Sequence, residues 1–242
     1  MPLLSIIIPS RNEKYLKQTI KDLLSKATGD IEIIAVLDGC WSDIVENERV
    51  HYIHFTESQG MRGAINAGVA VAKGKYIMKT DGHCMFDKGF DEKLKECEKN
   101  WIVIPRRYAL DVHNWKIEER TDDKYPIDVM ELNSDLQGVP THKRKDDSII
   151  DTESFQGSCY FLTKEYFNKL NLLDEKQFTS FFNEAQEIAL KVKKDGGRVV
   201  RNTRTWYAHF HKTEGRGYSL KNVDRNKARQ SVFKLNEELK NA

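Results

Sequence analysis

The sequence predicts an α/β fold on a mostly parallel central sheet flanked by helices, with a loop-rich insertion and a C-terminal helix. Three observations predict it. Short continuous apolar runs, such as Leu4-Ser5-Ile6-Ile7-Ile8, have the length of strands buried on both faces. They alternate with segments whose apolar residues recur at helical spacing. Polar loops fall at the carboxyl ends of the runs, which is where open α/β sheets bind ligands.

Each element has a reason. Pro9 ends the first strand, and Ser10-Arg11-Asn12-Glu13 form a polar loop. Leu16, Ile20, Leu23 and Leu24 then share a helical stripe. Ile31 to Leu37 is a second strand ending at Asp38-Gly39, and Val50 to Phe55 a third. The helix from about Met61 to Ala72 is rich in Gly and Ala and can lie close to a sheet. Lys75 to Met78 is a strand, Asp87 to Lys99 a helix and Trp101 to Ile104 a strand. From Arg106 to about Ser154 the pattern breaks into polar loops that cover the site, with room for a short hairpin. Long irregular insertions of this kind are functional or mobile. Lys164 to Leu170 is a short helix, and Phe181 to Asp195 a longer one closed by Gly196-Gly197. Arg198 to Val200 is a strand, followed by Thr205-Trp206-Tyr207-Ala208-His209-Phe210-His211, and a basic helix runs from Leu220. The expectation is a single domain over residues 1–242, divided into 1–105, 106–219 and 220–242.

Composition narrows the function classes. At 242 residues with 39% hydrophobic and 31% charged, the chain can bury a core and keep a solvated surface. No apolar run approaches the roughly 20 residues of a membrane span. Met1 to Ile8 lacks the basic start and length of a secretion signal. Cys40, Cys84, Cys97 and Cys159 are scattered without a Cys-x-x-Cys pair. They read as free thiols in a reducing compartment, so a cytoplasmic location is expected, inside a host if the source is viral. The net charge of +2 hides an asymmetry. Residues 191–234 hold 13 Lys and Arg against 3 Asp and Glu, a local +10, which leaves about −8 for the remainder. Such a stretch suits a phosphate-bearing partner, or is simply a solvated helical face.

The chemistry-bearing motif is Asp81-Gly82-His83. Residues two apart on an extended backbone point to one face. A carboxylate and an imidazole side by side at a strand end offer two ligands to a divalent cation. The bland alternative is a turn-capping aspartate beside an ordinary loop histidine. Cys84 can be mistaken for a zinc ligand, but a lone cysteine there packs under the loop. Arg62 starts a helix and brings positive charge to that helix's N-terminus; alternatively it is a surface charge.

Taken together, Pro9-Ser10-Arg11-Asn12-Glu13, Leu37-Asp38-Gly39, Gln59-Gly60-Met61-Arg62-Gly63 and Lys79-Thr80-Asp81-Gly82-His83-Cys84 resemble the nucleotide-sugar half of family 2 glycosyltransferases with the GT-A fold. The resemblance covers residues 4–86. It implies a UDP-sugar donor held by Pro9, Ser10, Arg11, Glu13, Asp38, Gly60, Arg62, Asp81 and Gly82. Asp38 and the Pro9–Glu13 loop would meet uracil and ribose, and Arg62 the diphosphate. It also makes residues 1–105 the donor half and 106–219 the acceptor half. His83 stands where the commonest metal motif has a second aspartate. Asp-x-His instead resembles the retaining polypeptide N-acetylgalactosaminyltransferases. Gln156-Gly157-Ser158 and Asn183-Glu184-Ala185-Gln186-Glu187-Ile188 are similar to segments of that group. There a third metal ligand is a histidine 12 residues after paired glycines, the spacing of His209 from Gly197. The resemblance thus implies Asp81, His83 and His209 as metal ligands, and Gln156, Gly157, Ser158 and Glu184 on the acceptor side; His211, on the same side as His209 if the backbone is extended, is a fallback ligand, a phosphate contact or simply exposed. Oxygen and nitrogen donors favour Mn²⁺, with Mg²⁺ as the other choice.

The helix at Glu184 bears on stereochemistry. Inverting members of family 2 carry a general-base aspartate where this chain has Ala185. Glu184 and Glu187 lie three apart on one helical face, and neither stands at the base position. The reading is therefore retaining transfer, with Glu184, Glu187 and Arg62 as catalytic candidates. Inversion with Glu184 as base stays open, as does a structural Glu187–Lys191 pair. A nucleotidyltransferase would carry a glycine-rich loop after the first strand, and Pro9–Glu13 has no glycine. A non-catalytic nucleic-acid binder would bind without metal or UDP. The +10 stretch and His142-Lys143-Arg144-Lys145 point to a polyanionic acceptor, such as a hydroxymethylated DNA base. A polysaccharide or cell-wall glycan is the other acceptor class.

Overall fold

A computed structural model describes residues 3–120, 125–141, 148–178, 182–212 and 225–241. Among the described residues twelve strands and six helices follow in order. The first half holds β1 (Leu4–Ser10), α1 (Leu16–Lys26), β2 (Ile31–Asp38), β3 (Val50–Phe55), α2 (Gly60–Val71), β4 (Tyr76–Thr80), β5 (Cys84–Phe86), α3 (Phe90–Lys93) and β6 (Trp101–Asp111). The second holds β7 (Lys116–Ile117), β8 (Val129–Leu132), β9 (Gly138–Thr141), β10 (Ile149–Asp151), β11 (Cys159–Thr163), α4 (Lys164–Lys169), α5 (Glu184–Lys194), β12 (Arg198–His209) and α6 (Arg225–Lys240).

One large sheet runs in the order β10-β12-β6-β11-β4-β1-β2-β3. The β4-β1-β2-β3 side is parallel throughout, as the alternation of apolar runs and helical stripes predicts. β11 runs antiparallel to both β4 and β6 and joins this side to the parallel pair β6–β12. Helices cover both faces. One core packs α2, α4 and α5 residues such as Ile65, Phe167 and Ile188 on the sheet. The other packs Leu16, Ile20, Leu23 and Phe90 from α1 and α3. Buried area on both faces explains why β1 and β2 are apolar runs without alternation.

Four expectations need correction. β1 does not end at Pro9: its ladder with β2 continues to Ser10, while its ladder with β4 stops earlier, at Ile7–Lys79. The helix expected over Asp87–Lys99 shrinks to the single turn of α3. Asp91 in that turn is fully buried and accepts from the Thr28 and Gly29 amides, so it is a tie to the preceding loop. β6 does not stop at Ile104 but crosses Pro105 to Asp111. The register of β12 shifts between Asn202 and Trp206, opposite Pro105 and Arg106, and this irregularity absorbs the missing proline donor. The insertion is more ordered than a set of loops. Its β8–β9 hairpin faces α5 and α6 across a cleft of about 730 Å³ lined by Leu132, Leu190 and Phe233, and so does not lie over Asp81. The basic run His142–Lys145 lies outside the described residues.

Candidate active site

Strand register assembles the site. β4 delivers Asp81 to the carboxyl edge, where its amide donates to the Ser158 carbonyl at 2.9 Å. The chain turns through Gly82 and His83 and enters β5, which pairs with β12 so that Cys84 faces His209. The Phe210 amide then donates to the His83 carbonyl at 3.1 Å. Residues 81, 83 and 209 therefore meet because β12 adds to a three-residue strand that begins at residue 84.

One ligand atom each from Asp81, His83 and His209 lies within 4.8 Å of the others. Asp81 Oδ2 is 3.3 Å from His209 Nε2 and 3.8 Å from His83 Nε2. For bonds of about 2.1 Å, neighbouring ligands of a divalent ion stand about 3 Å apart and opposite ones about 4.2 Å. The cluster needs only slight contraction to hold one. Burial drives the His209 pKa down to about 3, so its ring is neutral. Its Nε2 is buried, has no aligned hydrogen-bond partner and faces Asp81 Oδ2 at 3.3 Å, so it can ligate a cation once the ring proton sits on Nδ1. Burial alone would raise the Asp81 carboxyl, but Lys79 and the two imidazoles outweigh it and hold Asp81 far below the usual carboxylate range. Arg107 Nη2 lies 3.1 Å from His209 Nδ1. A guanidinium only donates, so ligation through Nε2 requires this contact to open. Burial pushes the Cys84 thiol well up, so Cys84 packs as a neutral thiol and is no ligand. His211 is exposed, its ring 6.5 Å from that of His209, and it stands outside the cluster.

Behind Asp81 sits Lys79, a residue the sequence reading passed over. It is 1% exposed, donates to Asp81 Oδ1 at 2.7 Å and to the Gly157 carbonyl at 2.5 Å, and lies 3.7 Å from Glu184 Oε2. Its signal was available: a lysine within an apolar strand, two residues from Asp81, shares Asp81's face. The Tyr160 hydroxyl donates to Glu184 Oε1 at 3.1 Å. Burial raises the Glu184 carboxyl above its ordinary value although Lys79 pulls the other way. A side chain on Gly157 would overlap Glu184 Oε2, so only glycine admits this approach. Ser158 Oγ is 2.8 Å from Tyr207 Oη, and Gln156 is half-buried beside them. The expected acceptor-side residues thus border the cluster through Lys79 and Asp81.

Three other residues stand elsewhere than the sequence reading put them. Arg62 is 3% exposed and pairs with Glu187, which is fully buried. Arg62 also donates to the Phe182 carbonyl at 3.3 Å and lies over the Phe178 ring at 4.7 Å. Glu187 further accepts from Lys191 Nζ and the Asp174 amide. The pair ties α2 to α5 inside the core. Asp38, 3% exposed, accepts from Ser58 Oγ at 2.7 Å and from the Gln59 and Gly60 amides at 2.6 and 3.1 Å. It fixes the start of α2, with Gly60 in the left-handed region at φ +81°. Ser58 in turn accepts from exposed Arg11 at 2.8 Å. Ser10 Oγ is buried beside Pro9 at the end of β1 with no partner.

Comparison with known proteins agrees with this geometry. GalNAc-T7, solved with UDP, GalNAc and Mn²⁺, superposes with a TM-score of 0.79 at 17% identity, over 96% of this chain and 48% of that one. Mouse polypeptide N-acetylgalactosaminyltransferase 3 is 25% identical over 224 residues, 82% of this chain and 35% of the relative. The uncharacterized glycosyltransferase EpsJ of Bacillus subtilis is 34% identical over 114 residues, 43% of this chain and 33% of the relative. The chain thus spans about a third of the length of these two relatives. Residues 5–170 match the family described as Glycosyl transferase family 2. With the sheet order, the helices on both faces and this match over more than half its length, the chain belongs to glycosyl transferase family 2.

Proposed function

We propose that this chain transfers a sugar from a UDP-sugar to a hydroxyl acceptor, with Asp81, His83 and His209 holding Mn²⁺ or Mg²⁺. The carrying observation is the convergence of one carboxylate and two imidazoles around the buried, unpartnered His209 Nε2. Mn²⁺ with UDP in the GalNAc-T7 structure supports the choice of ion and donor. Such a cation, when bound, neutralises charge on a departing diphosphate. The chain's own part is positioning. Lys79 holds Asp81 with Oδ2 toward the imidazoles, Ser10 and Arg11 border the donor side, and Gly157, Ser158 and Glu184 form the acceptor wall.

Retention fits best. Ala185, at the place of the inverting base, is 6% exposed and packs in the core. Glu184 is buried and already held by Tyr160 and Lys79. Proton NMR of the anomeric centre in the product distinguishes the two outcomes, and inversion would make Glu184 the base.

For the acceptor we infer a hydroxylated polymer, with a hydroxymethylated DNA base as the polyanionic case and a cell-wall glycan as the neutral one. The fold weakens the charge argument for DNA. Within residues 191–234, Lys191, Lys194, Arg198, Arg204, Lys212 and Arg229 each pair with an acidic side chain from elsewhere in the chain or helix. No helix among the described residues is long and apolar enough to cross a membrane. All four cysteines are free, which suits the reducing, cytoplasmic setting we infer. Thermal shift tests the core of the proposal. UDP should stabilise the chain in the presence of Mn²⁺ beyond the shift that Mn²⁺ gives alone, and an equal UDP shift in EDTA would overturn it.

A further inference from the structure

Glu13 was expected to touch the donor, but its side chain is 6% exposed and turned inward. Its Oε2 lies 2.8 Å from His83 Nδ1 and accepts from Lys212 Nζ at 2.6 Å. Its Oε1 accepts from the Tyr15 amide at 3.3 Å, so the loop that carries Glu13 also holds it in place. The space it crosses is the space over Gly82. A Cβ on Gly82 would stand 2.7 Å from Glu13 Cγ and 3.4 Å from Leu16 Cδ1. The middle residue of Asp81-Gly82-His83 is therefore glycine because the Glu13 stem passes above it.

We propose that Glu13 is the positioning residue of the cation site: it accepts the His83 Nδ1 proton and so turns the lone pair of Nε2 toward Asp81 and His209. This rests on the cation reading above. The chemistry is general. An imidazole ligates through one nitrogen, and the hydrogen bond at the other fixes both the tautomer and the ring plane. Here the carboxylate at Nδ1 leaves Nε2 as the free donor, and Nε2 is the atom 3.8 Å from Asp81 Oδ2. Lys212 Nζ, 2.6 Å from the same Oε2, places a cationic donor beside the oxygen that faces Nδ1. The arrangement has a second consequence. Glu13 sits three residues beyond Ser10 and bonds Lys212, three residues beyond His209. One carboxylate thus links the end of β1, the Asp81–His83 turn and the end of β12. Loading the cation should stiffen the loop that borders the donor.

The test is Mn²⁺ titration of the full chain, followed by electron paramagnetic resonance, with Co²⁺ visible spectra reporting the ligand set. Glu13→Ala should weaken Mn²⁺ binding by about 10- to 100-fold. Glu13→Gln, whose amide oxygen can still accept from Nδ1, should weaken it less. Gly82→Ala keeps every polar group but displaces the Glu13 stem, and should approach Glu13→Ala. Lys212→Met should have the smallest effect, since it leaves the His83 contact in place. The Co²⁺ spectrum of Glu13→Ala should change as His83 loosens. Circular dichroism and melting in EDTA establish that each variant is folded, and isosteric Glu13→Gln stands in if Glu13→Ala is not. Wild-type affinity and an unchanged Co²⁺ spectrum in folded Glu13→Ala would overturn the assignment, as would Lys212→Met matching Glu13→Ala. If the wild-type chain itself binds no Mn²⁺, the cation reading fails instead, so the two failures are distinct.

Discussion

Replacing Glu187 by glutamine separates a structural carboxylate from a catalytic one. Glu187 is fully buried, Arg62 is 3% exposed, and each is the other's ionic partner. The substitution keeps the shape but turns one acceptor oxygen into an amide donor and takes the buried carboxylate charge away from Arg62. Removing one partner of a buried pair costs about 3–5 kcal/mol, because the remaining charge is uncompensated. Arg62 keeps the Phe182 carbonyl and the Phe178 ring, which places this case near the lower end, about 3 kcal/mol. In a domain of this size each kcal/mol moves the melting temperature by about 2–4 °C, so the drop should be about 6–12 °C. Lys191, also on Glu187, loses its charged partner but is close enough to the surface for water to compensate. The assay is thermal melting of the full chain in EDTA, together with urea midpoints. Arg62→Met combined with Glu187→Met should recover most of the loss, since an apolar pair of similar volume needs no charge balance. Mn²⁺ affinity, measured well below the melting temperature, should be unchanged in Glu187→Gln. If that variant melts within 2 °C of wild type yet transfers no sugar, the structural reading is refuted and Glu187 returns to the catalytic list.

Three more expectations are open to measurement. Gly157→Ala places a methyl on Glu184 Oε2; it should lower stability by about 1–3 kcal/mol and depress transfer while leaving Mn²⁺ affinity intact, which turnover and titration on one sample would show. His209 has a folded pKa of about 3 against an ordinary value of 6.5, so below pH 6.5 the unfolded chain takes up a proton that the folded chain refuses. Stability in EDTA should then fall as pH drops from about 6.5 toward 3, and His209→Gln should flatten that slope in urea midpoints. Lys79→Met leaves Asp81 and Glu184 as neighbouring anions; the apo protein should melt lower, and its Mn²⁺-induced shift should exceed that of wild type because the ion then supplies the missing charge.

What the sequence showed and what it hid divide along one physical line. Local signals were legible. The strands β1 to β4, the small-residue helix α2 and the Gly196-Gly197 stop after α5 each follow from a few adjacent residues. The Asp81–His83 spacing was legible for the same reason. His209 was reachable only by resemblance, because what brings it to Asp81 is the pairing of β12 with β5 across more than 120 residues. Glu187 shows the limit of periodicity. Its spacing from Glu184 was read correctly as one side of a helix. That spacing is silent on depth, and the α2 arginine that claims Glu187 is 125 residues away. Asp38 has the same ambiguity, since a strand-end aspartate that binds ligand and one that caps the next helix look alike in sequence, and only folding shows its carboxylate at Ser58, Gln59 and Gly60. The +10 stretch is partly offset for a related reason: Glu96, Asp135 and Asp151 meet its arginines only after folding.

The placement of charge explains why a cluster of two histidines and one carboxylate stands at this sheet edge. An isolated carboxylate here would be costly to bury, and Lys79 compensates it from behind through Oδ1. That leaves Oδ2 on the open side, facing the two imidazoles. His209 stays neutral through burial, and His83 has its second nitrogen committed to Glu13. Each donor atom therefore already points inward before any ion arrives, so binding requires little reorganisation of the ligands themselves. The exception is His209, whose Nδ1 is contacted by Arg107. Opening that contact is the one rearrangement the geometry demands. Arg107 lies on β6 and reaches Tyr125 through its other nitrogen at 3.2 Å, so the guanidinium that must give way at His209 is also tied to the segment that follows β6.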